Sequence, residues 1–328
     1  MMLNQLSLSC SQKINFLFIA LGLPILFFTG CQKEVIISIP NQEPRYVVNC
    51  LFQPFTVPYP ENISLSLSQT IGFLDSLSFP IIDDADIQLF YEDSVVGDFG
   101  YSVKNNLYYL EGIHHLNPGV YRIEIAHEDE IIIANDFLPN KVNLDKITIN
   151  PLAGYNYEDG RAFARVTFTF KEPEKQDNYY EIFISHTKDS SFYKLTTDYP
   201  SIITESYYPS VMNIEGDNPE SLPFNDIGIN GQDVSIPVEY LLPFAPINGI
   251  IEPHVIIVHF RTISRNYYLY KTSIIRQNYN NEADIIYGQG EPMNVYGNIP
   301  GNFGIFAGYQ SVDVAFIINN NEIIEYEF

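Results

Sequence analysis

The chain has 328 residues with 17 basic and 40 acidic side chains, a formal net charge of −23. Hydrophobic residues make up 46% and charged residues 17%, enough apolar material for a sizeable core and too little charge for wholesale disorder. So acidic a chain repels phosphate backbones and bare anionic lipid, which excludes nucleic acid as a partner.

The first element is a targeting signal. Lys13 supplies a weak positive start, and Ile14–Phe28 is almost continuously apolar. The run falls short of the roughly 20 residues a bilayer-spanning helix needs, and fits the apolar region of a signal peptide. It leads into Phe27-Phe28-Thr29-Gly30-Cys31, two small residues followed at once by cysteine. This stretch resembles a bacterial lipoprotein processing signal. The resemblance implies that residues 1–30 are removed and that Cys31 carries lipid, with residues 31–44 as a linker. A mature chain of this kind is outer-membrane and lipid-anchored, on either the periplasmic or the cell-surface face. Cys10 goes with the signal and Cys31 is consumed, so Cys50 has no disulfide partner and reads as a small buried hydrophobe.

From residue 45 the pattern is short strands of period two. Tyr46–Phe52, Ile63–Ser68, Ile87–Tyr91, Tyr121–Ile125 and Ile131–Ala134 alternate between apolar and polar positions. Turn residues such as Pro118-Gly119 and Glu128-Asp129-Glu130 separate them. A second series holds Asp145–Asn150, Ala164–Phe170, Tyr179–Ser185, Val234–Tyr240, Val255–Ile263, Val312–Ile318 and Ile324–Phe328. Ser264 caps a helix expected over 264–279, with Tyr267, Tyr270 and Ile274 as its inward stripe. The expected fold is mainly β. It has two antiparallel sandwich domains of immunoglobulin or fibronectin type, residues 45–140 and 141–328, with the helix in the second. Glu322, Glu325 and Glu327 crowd the last strand and argue against a transmembrane barrel.

Chemistry-bearing motifs are sparse. Asp83-Asp84 with Asp86, and His127-Glu128-Asp129-Glu130, are acidic but lack EF-hand spacing; they read as solvated turns. No Gly-x-Ser-x-Gly, His-Glu-x-x-His or paired-cysteine motif is present. The reading is therefore no catalytic residue, no metal, no cofactor and no enzyme. Two stretches are candidate contact surfaces. One is the proline-punctuated excursion 186–254, with Tyr199, Tyr207 and Tyr208. The other is the glycine segment 297–309, with Asn298, Phe303 and Phe306, where glycine allows tight turns and close backbone approach.

Taken together, several motifs resemble one family. These are the lipobox at Cys31, Val47-Val48-Asn49, Phe224-Asn225-Asp226, Asn230-Gly231, Tyr267-Tyr268 and Asn298-Ile299-Pro300-Gly301-Asn302-Phe303-Gly304-Ile305-Phe306. The family is the Bacteroidota outer-membrane lipoproteins catalogued as domain of unknown function 4249. The sequence departs from its pattern at Asn49-Cys50 and at Ala307. The resemblance implies an accessory or ligand-capture lipoprotein beside a TonB-dependent receptor. It carries no catalytic residues. The alternative is a structural or adhesive surface module without a transport role.

Overall fold

Alternation of apolar and polar side chains builds the sheets, and three hydrophobic clusters fix how they stack. The computed structural model describes residues 43–54, 63–72, 79–113, 115–155, 160–186, 191–200, 202, 218–287, 293–319 and 322–326. In chain order the strands are β1 (Tyr46–Phe52), β2 (Ile63–Gln69), β3 (Asp86–Tyr91), β4 (Ser94–Asp98), β5 (Gly100–Ser102) and β6 (Leu107–Leu110). Then come β7 (Gly119–His127), β8 (Glu130–Leu138), β9 (Lys146–Tyr155), β10 (Ala162–Lys171), β11 (Tyr179–His186) and β12 (Leu195–Thr196). The rest are β13 (Ser221–Asn225), β14 (Asp233–Leu241), β15 (His254–Ile263), helix α1 (Arg265–Tyr287), β16 (Phe303–Asn319) and β17 (Glu322–Tyr326).

The large sheet runs β13-β11-β15-β16-β1-β2-β6-β5, with β17 added to β16; two smaller sheets run β12-β14-β10-β9 and β4-β3-β7-β8. The sheets are not closed into barrels, and the fold is a mainly-β sandwich. One half of the large sheet packs on β9, β10 and β14 around Phe168, Phe170, Tyr180, Phe224 and Phe260. The other half packs on β3, β7 and β8 around Phe52, Leu65, Leu89, Tyr121 and Phe306.

Strand β16 joins the halves. At 17 residues it is far longer than the strand read from Val312–Ile318. Its early part pairs with β1 from Val47↔Phe303 to Phe52↔Gly308, and its later part with β15 from Ile263↔Tyr309 to His254↔Ile318. The β1/β16 ladder is parallel, a departure from the all-antiparallel expectation. The pleat puts Phe306 in the core beneath β3, β7 and β8, the first in chain order, and Phe316 and Ile318 in the core beneath β9, β10 and β14, the second. The sequence boundary at residue 140 thus separates two cores that share a strand, and residues 44–328 form one compact unit. Side chains also tie the crossover down: Gln310 donates to the Pro139 carbonyl at 2.6 Å, and the Val142 amide donates to Thr262 at 3.1 Å.

Helix α1 begins where expected but runs to Tyr287, past the predicted end at 279. Ser264 caps it, its hydroxyl accepting from the Tyr267 amide at 3.1 Å. The inward stripe is Tyr267, Tyr268 and Thr272; Tyr270 and Ile274 are only half-buried. Tyr268 joins the core through its ring contact with Tyr179 at 5.0 Å, and Tyr270 packs on the same cluster from its rim. Among the described residues no helix is long and apolar enough to cross a membrane.

Candidate functional site

The residues singled out from sequence scatter. Cys31, Tyr207 and Tyr208 lie outside the described residues. Tyr199 is half-buried against the second core, its amide donating to Thr197 Oγ1 at 3.2 Å. Phe303 is half-exposed at the mouth of the β1/β16 ladder, with the Arg45 guanidinium 5.7 Å from its ring centre. Phe306 is fully buried and stacks on Phe52 at 4.8 Å, so it offers no contact surface. Asn298 is spent on the same residue: its side chain accepts from the Phe306 amide at 2.9 Å and donates to the Phe306 carbonyl at 2.7 Å.

The glycine segment is therefore a closure device for β16. Gly304 sits at a φ of 102°, and a Cβ there would collide with the Val48 carbonyl, so only glycine lets β1 approach. Gly308 donates its amide to buried Asp136 at 2.7 Å, and Asn266 of α1 donates to the same carboxylate at 2.8 Å. Burial pushes the Asp136 carboxyl up to about 6, against the pull of hydrogen bonds from Ser264, Gly308 and Asn266.

The other motif residues are structural too. Glu172 is buried although Lys171, Glu174 and Lys175 surround it in sequence. It accepts from Asn178 at 2.7 Å, Tyr180 at 3.2 Å and the Gly231 amide at 2.6 Å. Asp226 accepts from the Asn178 amide at 3.0 Å. Acidic Asp84 holds His127 at 3.0 Å, and His127 also meets the Tyr46 hydroxyl at 2.9 Å. Among the described residues no three His, Cys, Asp or Glu side chains converge as a metal site.

What sequence reasoning missed is a polar stripe on the helix-side face of the large sheet. The signal was there: Glu181, His259, Arg261 and Asp313 interrupt otherwise apolar strands at one parity. Ser185 Oγ lies 2.8 Å from His259 Nε2, and His259 Nδ1 lies 2.6 Å from Asp313 Oδ1, which also accepts from Ser311 at 2.6 Å. Burial would raise the Asp313 carboxyl, but the His259 hydrogen bond and charge outweigh it and hold it below the usual range. Beyond Phe183, whose ring stacks on His259 at 4.1 Å, comes a buried charge cluster. There Glu181 Oε2 accepts from Tyr267 at 2.8 Å and from Arg261 at 3.3 Å, while Lys271 Nζ stands 3.2 Å from Oε1 as an ion pair without hydrogen-bond alignment. Burial favours a neutral Glu181, but Lys271, Arg261 and the Tyr267 hydroxyl prevail and lower it to about 2.

Serine, histidine and aspartate in this order can pass a proton, as in acyl-transfer triads. Such chemistry also needs donors aimed at a developing oxyanion and room for a substrate. Ser185 is buried one residue before the end of β11, bridged to Ile257 on one side and Phe192 on the other, so its backbone is committed to strand pairing. The stripe serves as a cross-strand tie of β11, β15 and β16, with α1 packed over its charged end.

Comparison with known proteins gives little beyond a family. No curated protein matches. A β-glucuronidase of glycoside hydrolase family 2 aligns at 12% identity and a TM-score of 0.21, over 66% of this chain and 19% of that one. The major pilin subunit of Bacillus cereus aligns at 9% identity and 0.19, over 68% of this chain and 65% of that one. This chain thus spans less than two thirds of either, and at such scores neither likeness carries an argument. A family model with the description Domain of unknown function (DUF4249) matches residues 32–314.

Proposed function

The chain belongs to the family described as Domain of unknown function (DUF4249), and on that premise we propose a non-enzymatic outer-membrane lipoprotein that serves a TonB-dependent transporter. It is held by lipid on Cys31 and acts as an accessory or ligand-capture partner of the receptor. The observation that carries this reading is the junction at Cys31: an apolar run and Thr29-Gly30 before it, and the family match beginning at residue 32. A sandwich body with a charge of −23 is suited to work at a membrane without entering its hydrocarbon. The non-enzymatic part draws support from the buried, strand-committed Ser185.

Two experiments test it. Cys31→Ala should abolish palmitate incorporation and release the protein from the membrane fraction; unchanged labelling would remove the anchor from the account. After crosslinking in intact cells, the affinity-purified lipoprotein should bring a β-barrel receptor with it. Recovery of the lipoprotein alone would remove the transporter.

A further inference from the structure

Between β14 and β15 the chain makes a short excursion, and its geometry is built rather than loose. Ile247 and Ile250 exchange two backbone hydrogen bonds of 3.0 Å each around Asn248 and Gly249. Those two residues have φ of 52° and 76°, the pair of positive values that a type I′ two-residue turn requires. Pro243 and Pro246 stiffen the approach. Buried Leu242 and Ile251 root the excursion in the second core.

The excursion holds three large apolar side chains outside: Ile247 at 75% and Ile250 at 59% exposure on the turn, and Phe244 at 53% on the approach to it. Single exposed apolar residues are ordinary, but two on one preorganised turn, with a third on its approach, mark an interaction site. The charge pattern agrees. No charged residue occurs from Leu241 to Ile251, in a chain whose net charge is −23. The excursion also leads straight to the end of the large sheet, where His254 pairs with Ile318 and Ile318 with Ile323.

We propose that residues 243–250 form a rigid docking prong, with Ile247, Ile250 and Phe244 seated in an apolar pocket of a partner protein. This deepens, and rests on, the reading of the protein as a transporter's partner. A preorganised turn loses little entropy on binding, which is how a small apolar knob becomes an anchor. The occupant is protein rather than lipid on grounds of charge. Between Lys194 and Arg261 the sequence has no Lys or Arg, Glu252 follows the prong, and Arg165, which β10 brings beside its root, is held by Glu239 at 2.9 Å, so anionic headgroups find little counter-charge there. The pocket's rim is accordingly neutral or basic.

The test places p-benzoylphenylalanine at position 247 or 250 of the full-length chain and irradiates cells. A discrete protein adduct is expected at both positions, and none at Val103, an exposed control in the β5–β6 turn. Ile247→Asp combined with Ile250→Asp should lower recovery of that protein about tenfold or more, with thermal unfolding unchanged. Adducts with lipid or lipopolysaccharide alone, or none above the Val103 control, would overturn the prong. A receptor recovered undiminished with the double variant would also overturn it while leaving the transporter reading intact. An adduct at 247 with a protein that is not a receptor would sustain the prong and sink the transporter.

Discussion

At the scale of single residues, two buried carboxylates pull the pH dependence in opposite directions. The Asp136 carboxyl is raised from 3.8 to about 6, so the folded state holds a proton that the unfolded chain has released. Stability from this group is full below about pH 4 and is lost as pH rises towards 6, by about 3 kcal/mol for two units. Denaturant unfolding of the wild type should weaken over that window relative to Asp136→Asn; parallel curves would contradict it. Glu181, lowered from 4.5 to about 2, has the opposite sign: its contribution is present above pH 4.5 and lost below. Glu181→Gln leaves Arg261 and Lys271 beside a neutral amide and should cost about 3–5 kcal/mol near neutral pH. Ser185→Ala should cost only about 1 kcal/mol. The wild type should take no fluorophosphonate label at Ser185. A covalent adduct there would turn the stripe into an active site.

At the scale of elements, β16 decides how the halves meet, and glycine decides whether β16 can form. Gly304→Ala meets both a φ of 102° and the Val48 carbonyl, and should cost more than about 4 kcal/mol or prevent folding. Asn298→Ala strips two hydrogen bonds from the buried Phe306 backbone, a loss of about 2 kcal/mol in chemical denaturation. Wild-type stability in either variant would show that the segment does not close the sheet. These elements also show where sequence reading stops. Strands such as β10 alternate cleanly because one face meets the core and the other water, and that is legible. The first half of β16 is not, because the glycines and Asn298 that let β1 approach resemble loop residues by composition. Glu172 is illegible for a related reason: Lys171–Lys175 has the composition of a solvated turn, yet Asn178 and the far-off Gly231 amide hold its carboxylate inside.

At the scale of the whole molecule, a shared strand couples two sandwiches that the sequence divides at residue 140. Calorimetry should therefore show one cooperative transition for the intact chain; two resolved transitions would mean that the β16 ladders do not couple the cores. The proposed address rests on a local stretch, Phe27–Cys31, and needs no fold to be proposed. A contact surface depends on which side chains stay outside, and that parity emerges only on folding. Phe306 went inside, while the Phe244–Ile250 turn stayed out. The function proposed above has the chain working as a lipoprotein in complex with a transporter barrel. The most direct measurement is native electrophoresis of outer membranes dissolved in mild detergent without crosslinker. The protein should migrate with a β-barrel receptor, far above the 37.5 kDa of the full 328-residue chain. Migration as a lone chain, with the receptor running separately, would contradict it.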